Sequence, residues 1–320
     1  MSRDTQAITS ILAPFLVDPE EVIILDGALA TELEGRGADI NDPLWSAKVL
    51  MESPESIRQL HYDYFAAGAD VAITASYQAS FEGFGARGLS REDAAALMRL
   101  SVELANQARD EVLDSGQRDT HRPRPLVAAS IGPYGAHLHD GSEYHGNYPA
   151  ADKAISDFHL RRMETLLQAN PDLLALETIP SLREGELLLR AMEEFPDTVA
   201  WLSFSCQDDT RLCHGESFAS AMAAANDSSQ IVAVGLNCTA PQHVSPLLAS
   251  AKGYTTKPLL VYPNSGECWV SKGNRWIPGS TSESLAVMAQ LWQQEGARLI
   301  GGCCRTGVKD IADLARSMRG

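Results

Sequence analysis

Short, wholly apolar runs alternate with longer stretches whose apolar residues recur every three or four positions, and the alternation repeats eight times along the 320 residues. Runs such as VIIL, LLAL and IVAVGL have no polar residue at every second position, which is how strands buried on both faces of a parallel sheet read. They predict strands over about 22–26, 70–75, 126–130, 173–177, 199–205, 231–237, 259–263 and 298–302. The longer stretches carry helix signals. Ser53-Pro54 supplies an N-cap and a first-turn proline ahead of Ile57, Leu60, Tyr64 and Phe65 on one face, and Gly68 marks the stop. Ser90 opens a long helix whose Leu97, Leu104, Ala108 and Val112 share a face, and Ser181-Leu182-Arg183-Glu184 reads as a capping box. Eight βα units in this length predict an α/β fold, a single (β/α)8 TIM barrel forming one domain over 1–320, with a short leading helix over about 5–17. A doubly wound open sheet is the alternative.

A barrel of this kind carries its active site at the C-terminal ends of its strands, and that rule sorts the polar residues. Strand one ends in Asp26-Gly27, strand two runs into Thr74, Ser76, Tyr77 and Gln78, and strand four ends in Glu177-Thr178. Strand six ends in Asn237-Cys238, strand seven in Asn264-Ser265-Gly266, and strand eight in Cys303-Cys304. Carboxylates that close apolar strands, Asp26 and Glu177, are candidates to grip a substrate ammonium; an ion pair with a rim arginine or a helix cap is their structural alternative.

Adjacent cysteines make a poor disulfide, because a trans peptide holds their Cα atoms about 3.8 Å apart where an unstrained bridge wants roughly 4.4–6.8 Å. Cys238 precedes Cys303 by 65 positions, yet a barrel brings both to one rim together with Cys304. Gly301 and Gly302 remove bulk where the backbone must aim the two thiols inward. Three thiolates suit zinc and leave the open fourth position of a catalytic site. The spacing by itself leaves buried free cysteines or a redox pair open. Cys206, Cys213 and Cys268 read as packing or loop residues.

Composition narrows the partners. A net charge of −16 without a basic cluster opposes binding to nucleic acid or an anionic membrane. The apolar run 8–17 is too short to span a bilayer, so a cytoplasmic enzyme with small-molecule substrates is expected. GFGARG at 83–88 matches a dinucleotide fingerprint literally but stands away from its strand and before a fresh N-cap, so it reads as a flexible loop. His137 and His139 form an H-x-H pair in the loop after strand three, where a solvated loop is favoured over a hydrolase metal site. A metal-dependent hydrolase, or a non-catalytic zinc or thiol sensor with Cys206 as a fourth ligand, stand as rival functions.

Seven segments in one order, ILDGALATELEGRG, ITASYQASFEGFGARG, GPYGAHLHDGSEYHG, LLALETIP, GLNC, VYPNSGE and ARLIGGCCRT, resemble the homocysteine S-methyltransferase family from about residue 20 to the end. Within it the likeness is to the short members that use S-methylmethionine. The resemblance implies a (β/α)8 barrel with Zn2+ held by Cys238, Cys303 and Cys304, and Asp26 and Glu177 on the homocysteine amino group. It implies methyl transfer from a sulfonium, S-methylmethionine before S-adenosylmethionine, to the thiol of homocysteine, forming methionine. The chain ends soon after its last helix, so no cobalamin module is expected. Trp45, Tyr77 and Tyr134 are the candidates for cation–π contact with the donor, and Gly27 and Asn264 for further contact with substrate.

Overall fold

The eight expected strands close into a ring. The computed structural model describes residues 11–18, 20–38, 46–266, 268–270, 275–277 and 283–320. The barrel strands are β1 (Ile23–Ile24), β2 (Val71–Ile73), β3 (Leu126–Ile131), β4 (Leu173–Ile179), β5 (Ala200–Phe204), β6 (Ile231–Asn237) and β7 (Leu259–Tyr262). A two-stranded hairpin of β8 (Cys268–Val270) and β9 (Arg275–Ile277), which the sequence pattern did not reveal, precedes the last barrel strand β10 (Ala297–Ile300). All eight barrel strands are parallel, in the order β1-β10-β7-β6-β5-β4-β3-β2, and a parallel bridge between Leu25 and Val71 joins the two ends.

That closing seam is short, and two buried aspartates extend it. Its backbone bonds are Asp70 N–H to Ile24 O at 2.6 Å and Asp26 N–H to Val71 O at 3.0 Å. On one side the Asp70 carboxylate accepts from the Ile24 amide at 2.9 Å, and on the other Asp26 Oδ2 accepts from the Ile73 amide at 2.8 Å. Side chains thus satisfy amides that a two-residue β1 leaves without a ladder partner. Asp70 is wholly buried and also takes Arg118, Arg122 and Arg319.

Successive strand residues alternate between two cores, as a pleat requires. Ile23, Leu25, Val71, Trp201, Tyr262 and Leu299 fill the barrel interior, while Ile24, Ala72, Val127, Leu174 and Leu202 face the helices. Leu12 and Phe15 join the interior cluster from a 3-10 turn at Ala13–Phe15; the leading helix is replaced there by this turn, and 5–10 lie outside the described residues. The helix Pro54–Ala66 has the expected buried face, and Ser90 caps Arg91–Asp114 by accepting from the Asp93 amide. Ser181 caps Leu182–Met192, but Glu184 does not close a capping box: it is buried and accepts from the Tyr134 amide and from Tyr148, with His159 Nε2 at 2.8 Å. The GFGARG stretch is not a loop throughout, since Ser80 caps a short helix at Phe81–Gly85. Among the described residues no helix is long and apolar enough to cross a membrane.

Candidate metal and substrate site

Two strand ends deliver the three thiols. The Cys238 amide donates to Tyr262 O at 3.2 Å and the Cys303 amide to Pro263 O at 2.7 Å, so the ends of β6 and β10 both lean on the end of β7. The ligand atoms of Cys238, Cys303 and Cys304 all lie within 4.8 Å of one another, and this is the only such group of potential metal ligands among the described residues. Cys238 and Cys303 have their sulfurs in bonding contact with Cα atoms 5.6 Å apart, the redox pairing that spacing left open, and Cys304 Sγ stands 3.8 Å from Cys238 Sγ. Burial pushes the Cys304 thiol up to about 11, with the charge of Glu177 acting in the same direction. A thiolate here requires a nearby cation, and a soft dication suits this donor set.

The glycines before the thiols make room for β1. A Cβ on Gly301 would sit 2.6 Å from the Leu25 Cβ and 2.9 Å from Asp26 O, and one on Gly302 would collide with the Thr306 side chain. The Gly302 amide donates to Asp26 O at 3.1 Å, so the strand bearing the cysteines is locked to the strand bearing Asp26. Gly27 has the same function, since its Cβ would lie 2.7 Å from Thr306 O.

Asp26 and Glu177 are buried without a salt bridge to any cation among the described residues, although the Arg162 charge acts on Glu177 from a distance. Oδ2 of Asp26 is used in the barrel seam, but Oδ1 is buried with no hydrogen bond. Burial raises its carboxyl well above the usual range, and the charge of Glu177 adds to the rise. Glu177 accepts from the Ser130 hydroxyl, and from Tyr262 OH at 3.2 Å; Trp201 Nε1 in turn donates to Tyr262 at 3.1 Å. Burial still pushes Glu177 up to about 7. Two desolvated acids with one orphaned oxygen are complementary to a cation.

The remaining candidates are distributed unevenly. Tyr77 lies within electrostatic reach of Glu143, Tyr144 and Glu177. Tyr134 turns its ring into a cluster with His137, Tyr148 and Phe158, at centroid distances of 4.4, 5.3 and 5.2 Å. Asn264 Oδ1 accepts from the Gly266 amide at 2.9 Å and so steadies its own turn. Trp45 lies outside the described residues. His137 is half-buried in the aromatic cluster instead of solvated, and burial lowers its pKa. Cys206 is buried outside the three-sulfur group.

Sequence reasoning missed several neighbours. Ser130 and Tyr262 are polar groups inside apolar runs at the ends of β3 and β7, and that exception to an apolar interior was the available signal. Tyr144, whose phenol feels Cys304 and Glu143, and Glu143, which has a buried oxygen without a partner, sit in the loop after β3, where no periodicity marks a residue's direction.

A family model described as Homocysteine S-methyltransferase matches residues 23–318. Homocysteine S-methyltransferase YbgG of Bacillus subtilis (strain 168) is 50% identical over 307 residues, covering 95% of this chain and 98% of the relative. Homocysteine S-methyltransferase of Escherichia coli (strain K12) is 48% identical over 305 residues, covering 94% of this chain and 97% of the relative. Among solved structures, the metallated form of the homocysteine methyltransferase MmuM from Escherichia coli aligns with a TM-score of 0.83 at 45% identity, covering 92% of this chain and 96% of that one. Its oxidized form aligns with a TM-score of 0.84 at 44% identity, covering 95% and 98%.

Proposed function

The chain belongs to the homocysteine S-methyltransferase family, and from that premise we propose that it transfers methyl from a small sulfonium, S-methylmethionine first and S-adenosylmethionine second, to homocysteine at a zinc site of Cys238, Cys303 and Cys304. The observation that carries this reading is the orphaned Asp26 Oδ1, buried beside Glu177 on the rim that holds the three thiols. An amino thiol has one cationic end and one nucleophilic end, and the site has one anionic wall and one sulfur cluster.

When bound, zinc would hold the acceptor sulfur as a thiolate at neutral pH, where a free thiol of pKa near 8.5 is mostly protonated. Asp26 Oδ1 and Glu177 would receive the substrate ammonium, whose charge restores the ionised form of both carboxyls. Ser130 and Tyr262 hold Glu177 in place by donating to it. With the acceptor fixed at both ends, its sulfur lone pair forms the new S–C bond while the donor's S–C bond breaks and that electron pair returns to the donor sulfur. Positioning of this kind substitutes for the entropy of a bimolecular encounter. Tyr77 and Tyr144, with Glu143 near both, would face the donor sulfonium.

The test is methionine formation from homocysteine with S-methylmethionine, S-adenosylmethionine and betaine side by side on zinc-loaded protein, with a chelator control. Chelator-sensitive turnover fastest with S-methylmethionine is expected. Equal rates with and without bound metal would remove the zinc from the proposal, and a preference for betaine would remove the sulfonium.

A further inference from the structure

The strand that carries Glu177 is broken at that residue. β4 pairs Leu176 with Leu202 of β5 but Ile179 with Phe204, so Glu177 and Thr178 form a bulge that takes one residue more than its partner strand. Bulges beside active sites re-aim a side chain, and they leave an amide without its ladder partner. Here that amide is Thr178 N–H, and it donates to Asn237 Oδ1 at 2.7 Å.

Asn237 is the last residue of β6, and β5 lies between β6 and β4. Its side chain therefore reaches across a strand. Oδ1 also accepts from the Ser203 hydroxyl of β5 at 2.6 Å, and Nδ2 donates to Thr178 Oγ1 at 2.7 Å. The residue is fully buried. Its chain neighbour is Cys238, and the residue it clamps is the chain neighbour of Glu177. Thr178 has φ +60° and Cys238 has φ +48°, a region that favours glycine and that other residues keep only where surrounding bonds impose it. The Asn237 amide thus holds one strained residue, the one following the carboxylate, and precedes in the chain the other, which bears the thiol.

We propose that Asn237 is the positioning residue that sets the distance between the sulfur end and the ammonium end of the acceptor site, and so selects homocysteine over shorter amino thiols. The inference rests on the reading that Cys238 holds the metal and Glu177 the ammonium. Asparagine suits the task because its amide both accepts and donates while adding no charge beside Glu177, whereas an aspartate would bury a further anion there. Cysteine, one methylene shorter than homocysteine, cannot satisfy both ends of a site held at fixed spacing. It still reaches either end alone.

The experiment compares wild type, Asn237→Ala, Thr178→Val and their double variant as zinc-loaded proteins. It reads zinc per chain, dissociation constants for L-homocysteine and L-cysteine by calorimetry, and kcat and KM for homocysteine. Thr178→Val keeps the branched Cβ and the amide bond to Asn237, losing only the hydroxyl link, so it remains informative if the alanine variant fails to fold. Zinc content is expected to stay at the wild-type level. Homocysteine kcat/KM should fall on the order of 10²-fold in Asn237→Ala, the penalty of misplacing a reactant by about 1 Å. The preference for homocysteine over cysteine in binding should shrink about tenfold in that variant and several-fold in Thr178→Val. The double variant should be no worse than Asn237→Ala alone, because the bond that Thr178→Val removes is one of those already lost with Asn237. A lowered Tm with the homocysteine-to-cysteine preference intact overturns the inference, since a merely structural residue would behave so. Glu177→Gln serves as control: if it weakens homocysteine while Asn237→Ala and Thr178→Val do not alter the preference, the positioning role alone is lost. If Glu177→Gln changes nothing, the ammonium anchor is lost and this inference with it.

Discussion

Asp26 and Glu177 lie within electrostatic reach of each other, so that Glu177 adds to the rise that burial imposes on the Asp26 carboxyl, although the two residues belong to the end of β1 and to β4 and are 151 positions apart in the chain. Neither carboxylate has a lysine or arginine in hydrogen-bond contact among the described residues; Glu177 is bonded to hydroxyls and Asp26 to an amide. A bound ammonium would relieve both. Asp26→Asn retains an oxygen for the Ile73 amide and so preserves the barrel seam, and Glu177→Gln retains an acceptor for Ser130. Each is expected to raise the homocysteine KM roughly tenfold to a hundredfold, the worth of one charge-assisted hydrogen bond at about 1.5–3 kcal/mol, without loss of metal. Steady-state kinetics with metal analysis on the same samples checks this, and an unchanged KM in both variants would take them out of the substrate site.

How far the chain announced this arrangement depends on what each signal measures. Periodicity reports burial, so the eight strands and the residues at their ends were legible, including Asp26, Glu177 and the three cysteines. It does not report connectivity within a rim. The exchange of Glu184 from a helix cap to a buried bond with Tyr148 and His159 required knowing that the loop after β3 folds back over the helix Leu182–Met192. Tyr134 was placed by its position after a strand, but its direction is set by packing against Phe158 and Tyr148, which lie later in the chain. The seam role of Asp26 was illegible for a different reason: it compensates for a β1 only two residues long, and strand length at that scale leaves no trace in the sequence.

Cys304 should be indispensable to the metal. With Cys304→Ala two sulfurs remain, and those two are the pair already in contact. Metal affinity is expected to fall by more than about 10²-fold, since loss of a mere outer partner of a ligand costs 10–100-fold. Turnover should fall with it. Zinc titration against a chromophoric chelator measures the affinity, and full activity in a metal-free Cys304→Ala protein would dismiss the sulfur cluster as the reacting centre.

Oxidation and metal should exclude each other, because a thiol ligand must be a thiolate and Cys238 and Cys303 can instead bond to one another. Diamide treatment of zinc-loaded protein is expected to release zinc in step with loss of thiols at those two positions, mapped by peptide mass spectrometry. A dithiol reductant should restore both metal uptake and turnover. Formation of the bridge with the metal still bound at full occupancy would contradict this.

Asp70 bears the largest structural burden outside the site. Its carboxylate is fully buried, joins β2 to β1 through the Ile24 amide, and is the shared anion of Arg118, Arg122 and Arg319. Asp70→Asn leaves the buried Arg118 without its anion and Arg122 with Glu21 alone, a loss of about 3–5 kcal/mol by the usual cost of breaking a buried pair. Arg319 is the most exposed of the three, so Arg319→Ala should cost much less. Urea unfolding of both variants separates the cases, and an Asp70→Asn loss no larger than that of Arg319→Ala would show that the seam does not depend on the charge.

Glu184 should give the fold a measurable alkaline weakness. Burial pushes its carboxyl from the usual 4.5 up to about 8, with the Tyr134 amide opposing the rise only in part. The folded chain therefore keeps a proton that the unfolded chain has released, and stability falls as pH rises from the unfolded value toward the folded one. Between pH 6.5 and 9 this amounts to about 2 kcal/mol at roughly 1.4 kcal/mol per pH unit, and the titration of unfolded His159 near pH 6.5 offsets only a small part of it at the acid end. Glu184→Gln keeps an acceptor for Tyr134 and a donor in place of the carboxylic proton, but has nothing to ionise. Its urea midpoint should decline less than the wild-type midpoint across that window, the remaining decline coming from the raised carboxyls of Glu177 and Asp26, and the two curves should converge toward the acid side. Parallel curves would mean that Glu184 is ionised in the folded chain already at neutral pH, with a compensating positive charge among its neighbours.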